Sequence, residues 1–332
     1  MNTSESEIRR LPELDIMKVF GIFLVVLGHV TRMYTPNGLI QPIEHDSFMH
    51  MLTKVIYSFH MPLFVFVSGM TFAYVSARKT SYQRFFSFVA NKAKRLMIPY
   101  FAFACFWVLP FMVGFGFRSF GYYLFDGIIL SLDSRHLWYV WMLFNVFILF
   151  YGMRLLVDKM KLSHWTLLLI SGILFCAESI WGGRFPYFQI DNALYYQFWF
   201  TLGYIAIVYK RQFRMLMPIV LVLGFILSLR LRFIVNVLYA MFGIFLFYYL
   251  APYCKNIANN ALFKAVNRNS FGIYLFHPII IYAVIYYFKD TQLNHITIFC
   301  IALFCSFFLS LFLTELMRKL HLQIIIGEKQ KI

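Results

Sequence analysis

Leu14 to His29, read LDIMKVFGIFLVVLGH, carries Asp15 and Lys18 at its start and then ten uncharged residues, Val19 to Gly28, before it reaches a histidine. Ionisable side chains inside an apolar helix are rare, turn toward a polar interior and mark function. An apolar surrounding favours the neutral imidazole, and a neutral imidazole can take the proton of a hydroxyl. His60, in FHMPLF, is a second such group. Pro62 follows it and removes a backbone hydrogen bond near Ser58, which makes room for a polar cavity. His277, in SFGIYLFHP, also precedes a proline; it reads either as a helix–helix hydrogen bond or as a functional group. His136, in SRHLWYVWMLF, reads as an interfacial residue, with a substrate contact alongside Trp138 left open.

The remaining polar residues form two groups. Lys92, Lys94 and Arg95 precede Ile98-Pro99-Tyr100. They fit topology determinants, and they equally fit holders of a phosphorylated ligand at the inner face. Glu178, Arg184, Asp191 and Asn192 surround Trp181-Gly182-Gly183. Carboxylates and amides beside aromatic rings suit a sugar, although Trp and Tyr also gather at any membrane interface. Five cysteines, at 105, 176, 254, 300 and 305, lack metal-like spacing, so neither a zinc site nor a disulfide framework is expected.

The elements that position these groups follow from composition. The chain of 332 residues is 61% hydrophobic and 13% charged, against about 25% charged for a soluble domain. The pattern predicts an all-α polytopic membrane protein organised as one domain over 1–332, with tails at 1–14 and 317–332. Spans are expected at roughly 15–34, 52–76, 97–117, 136–153, 164–180, 194–209, 215–229, 233–250, 270–288 and 296–316, most near the ~20 residues a helix needs to cross the hydrocarbon core. The seventh is short, and Arg230 and Arg232 fall just beyond it, so either that hairpin is shallow or its boundaries shift. No removable signal peptide and no internal repeat are read. The net charge of +16 lies between spans, which argues against a nucleic-acid partner.

Ten spans place both termini on one side. An inner N-terminus assigns 22 of the 30 lysines and arginines to inner segments, and the positive-inside rule makes that side cytoplasmic. His29 then lies about 16 Å along its helix from Lys18, and His60 about 12 Å below the outer surface on the returning helix. Their depths agree within a turn, so the two should share a cavity. His277 is expected about two turns from the inner surface.

DIMKVFGIFLVVLGH, FHMPLFVFVSGM, AKRLMIPYF, HLWYVWMLF and SFGIYLFHPII together resemble, in order and rough spacing, the acyltransferase-3 family of integral membrane O-acyltransferases. The likeness runs over residues 15–280 and is nearest to single-domain members similar to fucose 4-O-acetylases, without an appended hydrolase-like domain. It implies transfer of an acyl group, usually acetyl from acetyl-CoA, to a hydroxyl of a carbohydrate or lipid-linked sugar in a bacterial inner membrane. It implies His29 as the catalytic histidine; His60, from its depth on the returning helix, is the second catalytic candidate. Lys18 stands where the family usually has arginine, which keeps the charge and loses bidentate anion binding. Lys18, Lys92, Lys94 and Arg95 are then the candidates for the CoA phosphates, and His136, Trp138, Glu178 and Arg184 for the acceptor.

A transporter or polysaccharide exporter is the rival reading, since prolines within helices and buried polar groups would suit one. Dependence on acyl-CoA separates the two. The orientation has its own test: cysteines placed in the 78–95 stretch should resist labelling from outside intact cells, and ready labelling would reverse every depth assignment.

Overall fold

The computed structural model describes residues 11–36, 40, 46–77, 84–230 and 234–329. Ten long helices follow one another: α1 Pro12–Arg32, α2 Ser47–Ser76, α3 Phe85–Gly114, α4 Trp138–Lys159, α5 Trp165–Trp181, α6 Ile190–Val208, α7 Lys210–Ser228, α8 Ile234–Leu250, α9 Ala261–Phe288 and α10 His295–Lys319. Among the described residues, eight stretches are long and apolar enough to cross a membrane. The two helices outside that set are α5, which is 17 residues long, and α6, whose Trp199, Phe200, Thr201 and Leu202 are buried at the centre of the bundle. No strand occurs among the described residues. The protein is an all-α multi-pass membrane protein.

Local chemistry sets the helix starts. Pro12 occupies the first turn of α1, where its missing N–H costs nothing. The Met49 amide donates to the Asp46 carboxylate at 2.9 Å, and Leu262 and Ile296 donate to Asn260 and Asn294 at 2.8 Å each, so α2, α9 and α10 begin on capped amides. Several starts differ from the sequence-based expectation because charged residues extend the helices beyond their apolar cores. α3 begins at Phe85 rather than near 97, so Lys92, Lys94 and Arg95 lie inside a helix rather than before one. α7 begins at Lys210, which makes it a 19-residue helix rather than a short one; Arg232 lies outside the described residues. At the ends of the chain, α1 starts at Pro12 with Leu14 buried, and residues 1–10 of the predicted tail lie outside the described residues. The stretch expected as a C-terminal tail continues α10 to Lys319 and then folds back through a 3-10 turn, Gln323–Ile326, burying Ile326; 330–332 are not among the described residues.

Contacts at the helix ends fix an up-and-down alternation. At one end the Tyr34 hydroxyl donates to the His295 carbonyl at 3.1 Å, and His295 Nε2 lies 3.0 Å from Asp46, which joins the end of α1 to the starts of α2 and α10. At the other end Glu13 of α1 pairs with Lys255 after α8 at 3.2 Å, and Arg154 of α4 donates to Ser76 of α2 at 3.2 Å.

Helix α2 is the packing axis. It meets α6 where Gly69 faces the Phe200 carbonyl and Gly203 faces the Phe66 carbonyl, each so close that a Cβ would collide with backbone. Membrane helices gain little from apolar burial, so close backbone approach through small residues supplies much of their association. Replacing Gly69 or Gly203 with Ala should therefore sharply reduce the yield of folded protein in a detergent extract. Gly172→Ala on α5, where a Cβ meets no atom within 4 Å, should leave the yield unchanged. Equal yields from all three would remove the contact from the packing account.

Candidate active site

Two cavities lie end to end along the same helices, one of about 950 Å³ and one of about 520 Å³. On α1, Leu14, Asp15, Lys18 and Val25 line the smaller cavity, and His29 and Arg32 line the larger. These positions recur at helical spacing and share one face. α2 runs the other way, with Tyr57, His60 and Met61 in the larger cavity and Met61, Phe64, Ser68, Thr71 and Val75 in the smaller. The large cavity, lined by the last turns of α1, is the outer one on the sequence-based orientation; the small one is the inner.

Where the cavities approach, four histidines from four segments converge. The His29 ring lies 5.0 Å from His277 and 6.2 Å from Tyr57, Tyr57 lies 4.7 Å from His60, and His136 lies 6.0 Å from His277, all between ring centroids. Backbone carbonyls fix three of these rings. His60 Nδ1 donates to Ile56 at 2.8 Å, His277 Nδ1 to Ile273 at 3.0 Å and His136 Nε2 to Leu275 at 3.2 Å. A carbonyl oxygen only accepts, so each of these nitrogens carries the proton and the opposite nitrogen keeps a lone pair. His29 is held by ring contacts and by its helix. Thr53 of α2 donates to Thr31 at 2.8 Å, and Gly28 sits so near Ile56 that a Cβ would lie 2.9 Å from it, so α1 is pinned to α2 on both sides of His29.

The sequence-based depth of His277 is wrong. α9 starts at Ala261 rather than near 270, so His277 lies about 24 Å along the helix. That places it beside His29, fully buried, with Nε2 unpartnered. His136 is not an interfacial ring but a buried one on the cavity wall, and Trp138 and Glu178 line the same cavity. Arg184 is exposed and stays off that wall, because Gly183 turns into the left-handed region at φ 84° and the Asp191 carboxylate accepts from the Phe185 amide at 3.0 Å. In the inner cavity Lys18, Lys92 and Arg95 are wall residues. Lys92 is buried, with its ammonium 3.3 Å from the centre of the Phe147 ring. Lys94 is exposed and lies on another face of α3, two residues from Lys92.

Several wall residues escape the sequence reading. Arg32 stands three residues after His29, a spacing that puts both on one face, and its guanidinium lies 5.6 Å from the Tyr57 ring. Arg268, next to Asn267 and one turn before Phe271 in the inner cavity, and Tyr282 in the outer carry no motif. Nor do the two loops that close the outer cavity. Ser131, Arg135, Phe188 and Gln189 all adopt positive φ, between 52° and 59°, where non-glycine residues are strained. The strain is held by a clasp between the loops. The Gln189 amide donates to the Ser131 carbonyl, the Phe188 amide donates to Leu130 at 2.8 Å, and Asn192 donates to Gln189 at 2.6 Å. Such outliers concentrate at functional sites.

With that geometry described, comparison with known proteins defines the class. The chain belongs to the acyltransferase-3 family, whose model, an acyltransferase domain, matches residues 11–315. It is thus an integral membrane member of that family. Nodulation protein NolL of Mesorhizobium japonicum is similar to it, 30% identical over 154 residues, 46% of this chain and 37% of that protein. The chain therefore spans little more than a third of the length of this relative. No solved structure matches.

The clasp yields a test. Gln189→Ala leaves the Ser131 carbonyl and Asn192 without their partner, which should lower stability by about 1–3 kcal/mol. Loosening the outer wall should also raise the acceptor KM with little change in the donor KM. An unchanged acceptor KM would separate the strained loops from the acceptor.

Proposed function

We propose that the protein moves an acetyl or other short acyl group from acyl-CoA in the inner cavity to a hydroxyl of a carbohydrate or lipid-linked sugar in the outer cavity. The observation that carries this reading is the junction: two cavities on one set of helices share Met61, next to His60, and His29 lines the larger of them. Lys18, Lys92, Arg95 and Arg268 line the inner cavity against a single acid, Asp15. Four cations around one cavity suit the phosphates of a CoA nucleotide. Lys18 contributes attraction rather than a bidentate grip. The outer cavity offers Trp138, Glu178, Asp191 and Asn192, an aromatic face with acceptors and an amide for sugar hydroxyls. The distribution of basic residues supports an inner cavity at the cytoplasmic face, where CoA resides, and the family resemblance supports the inner membrane of a bacterial cell.

The chemistry then needs one base and one place for developing charge. His29 takes the proton from the acceptor hydroxyl as its oxygen attacks the thioester carbonyl carbon. The carbonyl oxygen becomes an oxyanion, and Arg32, one turn from His29 in the same cavity, supplies positive charge to it. Collapse breaks the carbon–sulfur bond, and the imidazolium returns its proton to the leaving thiolate, giving the ester and free CoA. General base catalysis of this kind contributes typically ~10²–10⁴-fold.

His29→Ala and His29→Gln test the assignment. Both should lose acyl transfer to surface glycan by at least about 10²-fold while binding acyl-CoA as the parent does. Gln keeps the hydrogen bonding and cannot accept a proton at neutral pH, so substantial turnover by His29→Gln would move the base elsewhere, with His60 the next candidate.

A further inference from the structure

Met61 lines both cavities, and among the described residues no other wall residue is shared between them. It lies between His60, whose ring is pinned to the Ile56 carbonyl, and Pro62, in an α2 that runs unbroken from Ser47–Ser76. The backbone is therefore fixed while the side chain, only partly buried, stands between the two spaces. One turn further along α2, Phe64 faces the inner cavity, with its ring 6.3 Å from Tyr139. Tyr139 lies 5.6 Å from Tyr274, whose hydroxyl donates to the His136 carbonyl. The donor side of the junction is thus an aromatic wall tied to the segment that carries His136.

We infer that Met61 sets the length of acyl group the enzyme accepts. The inference rests on the donor reading above. If the thioester must reach His29 from the inner cavity while the acceptor arrives from the outer, the carbonyl carbon sits at the junction. The acyl chain then has to occupy space beside the one side chain that both cavities share. Phe64, Tyr139 and Tyr274 are stiff and mutually packed, whereas an unbranched thioether bends to fill whatever gap remains. A pocket of that kind discriminates by size, and one methylene too many in a hydrophobic pocket is worth roughly tenfold or more. Met61 touches the acyl group rather than the transferred proton, so it governs which donor is used and leaves the base unaltered.

The test is a binding competition on the full chain in lipid nanodiscs, with radiolabelled acetyl-CoA displaced by acetyl-, butyryl- and hexanoyl-CoA. Met61→Ala should shift the affinity ratio toward hexanoyl-CoA by about tenfold or more. Met61→Phe should shift it the other way, and Met61→Leu, nearly the same size, should stay near the parent. Free CoA should bind all four proteins alike, which reports that the inner cavity is intact. Ratios that do not move in Met61→Ala and Met61→Phe, with CoA binding retained, would overturn the gauge and leave the donor reading standing. Failure of the parent protein to bind any acyl-CoA would overturn both.

Discussion

A lipid interior solvates neither charges nor unpaired polar groups, so every such group in a spanning helix has to find its partners inside the protein. That constraint organises this molecule. Asp15, Lys18, His29 and Arg32 occupy one face of α1, and the bundle closes around that face with α2, α4 and α9. The polar seam that results runs nearly the length of α1 and holds two cavities instead of packed side chains. The packing at Gly69 and Gly203 is remote from the chemistry, yet it fixes α2, and α2 carries Tyr57, His60 and Met61 to the seam.

The histidines illustrate how backbone structure decides function. Three rings spend one nitrogen on a carbonyl of the preceding turn or of a neighbouring helix. That locks their tautomers and leaves a lone pair on the opposite nitrogen. His29 spends neither nitrogen in this way and faces the larger cavity. A base must be able to change its protonation without breaking the fold, and among the four it is the ring least committed to structure.

Much of this was legible in the sequence, and the rest was hidden for identifiable reasons. The Lys18-to-His29 spacing announced the polar face of α1 because helical periodicity converts spacing directly into geometry. His277 was misplaced because hydropathy marks where a helix becomes apolar, not where it begins; α9 carries Asn267, Arg268 and Asn269 on helical turns that hydropathy assigns to a loop. The same error hid the position of Lys92 inside α3. Arg135 and Gln189 could not be found at all, since their places depend on strained loops that meet across the outer cavity, and no local pattern encodes that meeting. Arg32 was readable, three residues from His29 and so on the same helical face.

The central claim is that donor and acceptor enter from opposite faces and meet at His29. Proteoliposomes can separate the two faces, with surface glycan enclosed in the lumen, radiolabelled acetyl-CoA added outside, and vesicles sorted by which end of α1 faces outward. Labelled glycan is expected in the lumen only when the Lys18 end faces the added acetyl-CoA. Label that appears only when glycan and acetyl-CoA share one compartment would contradict it.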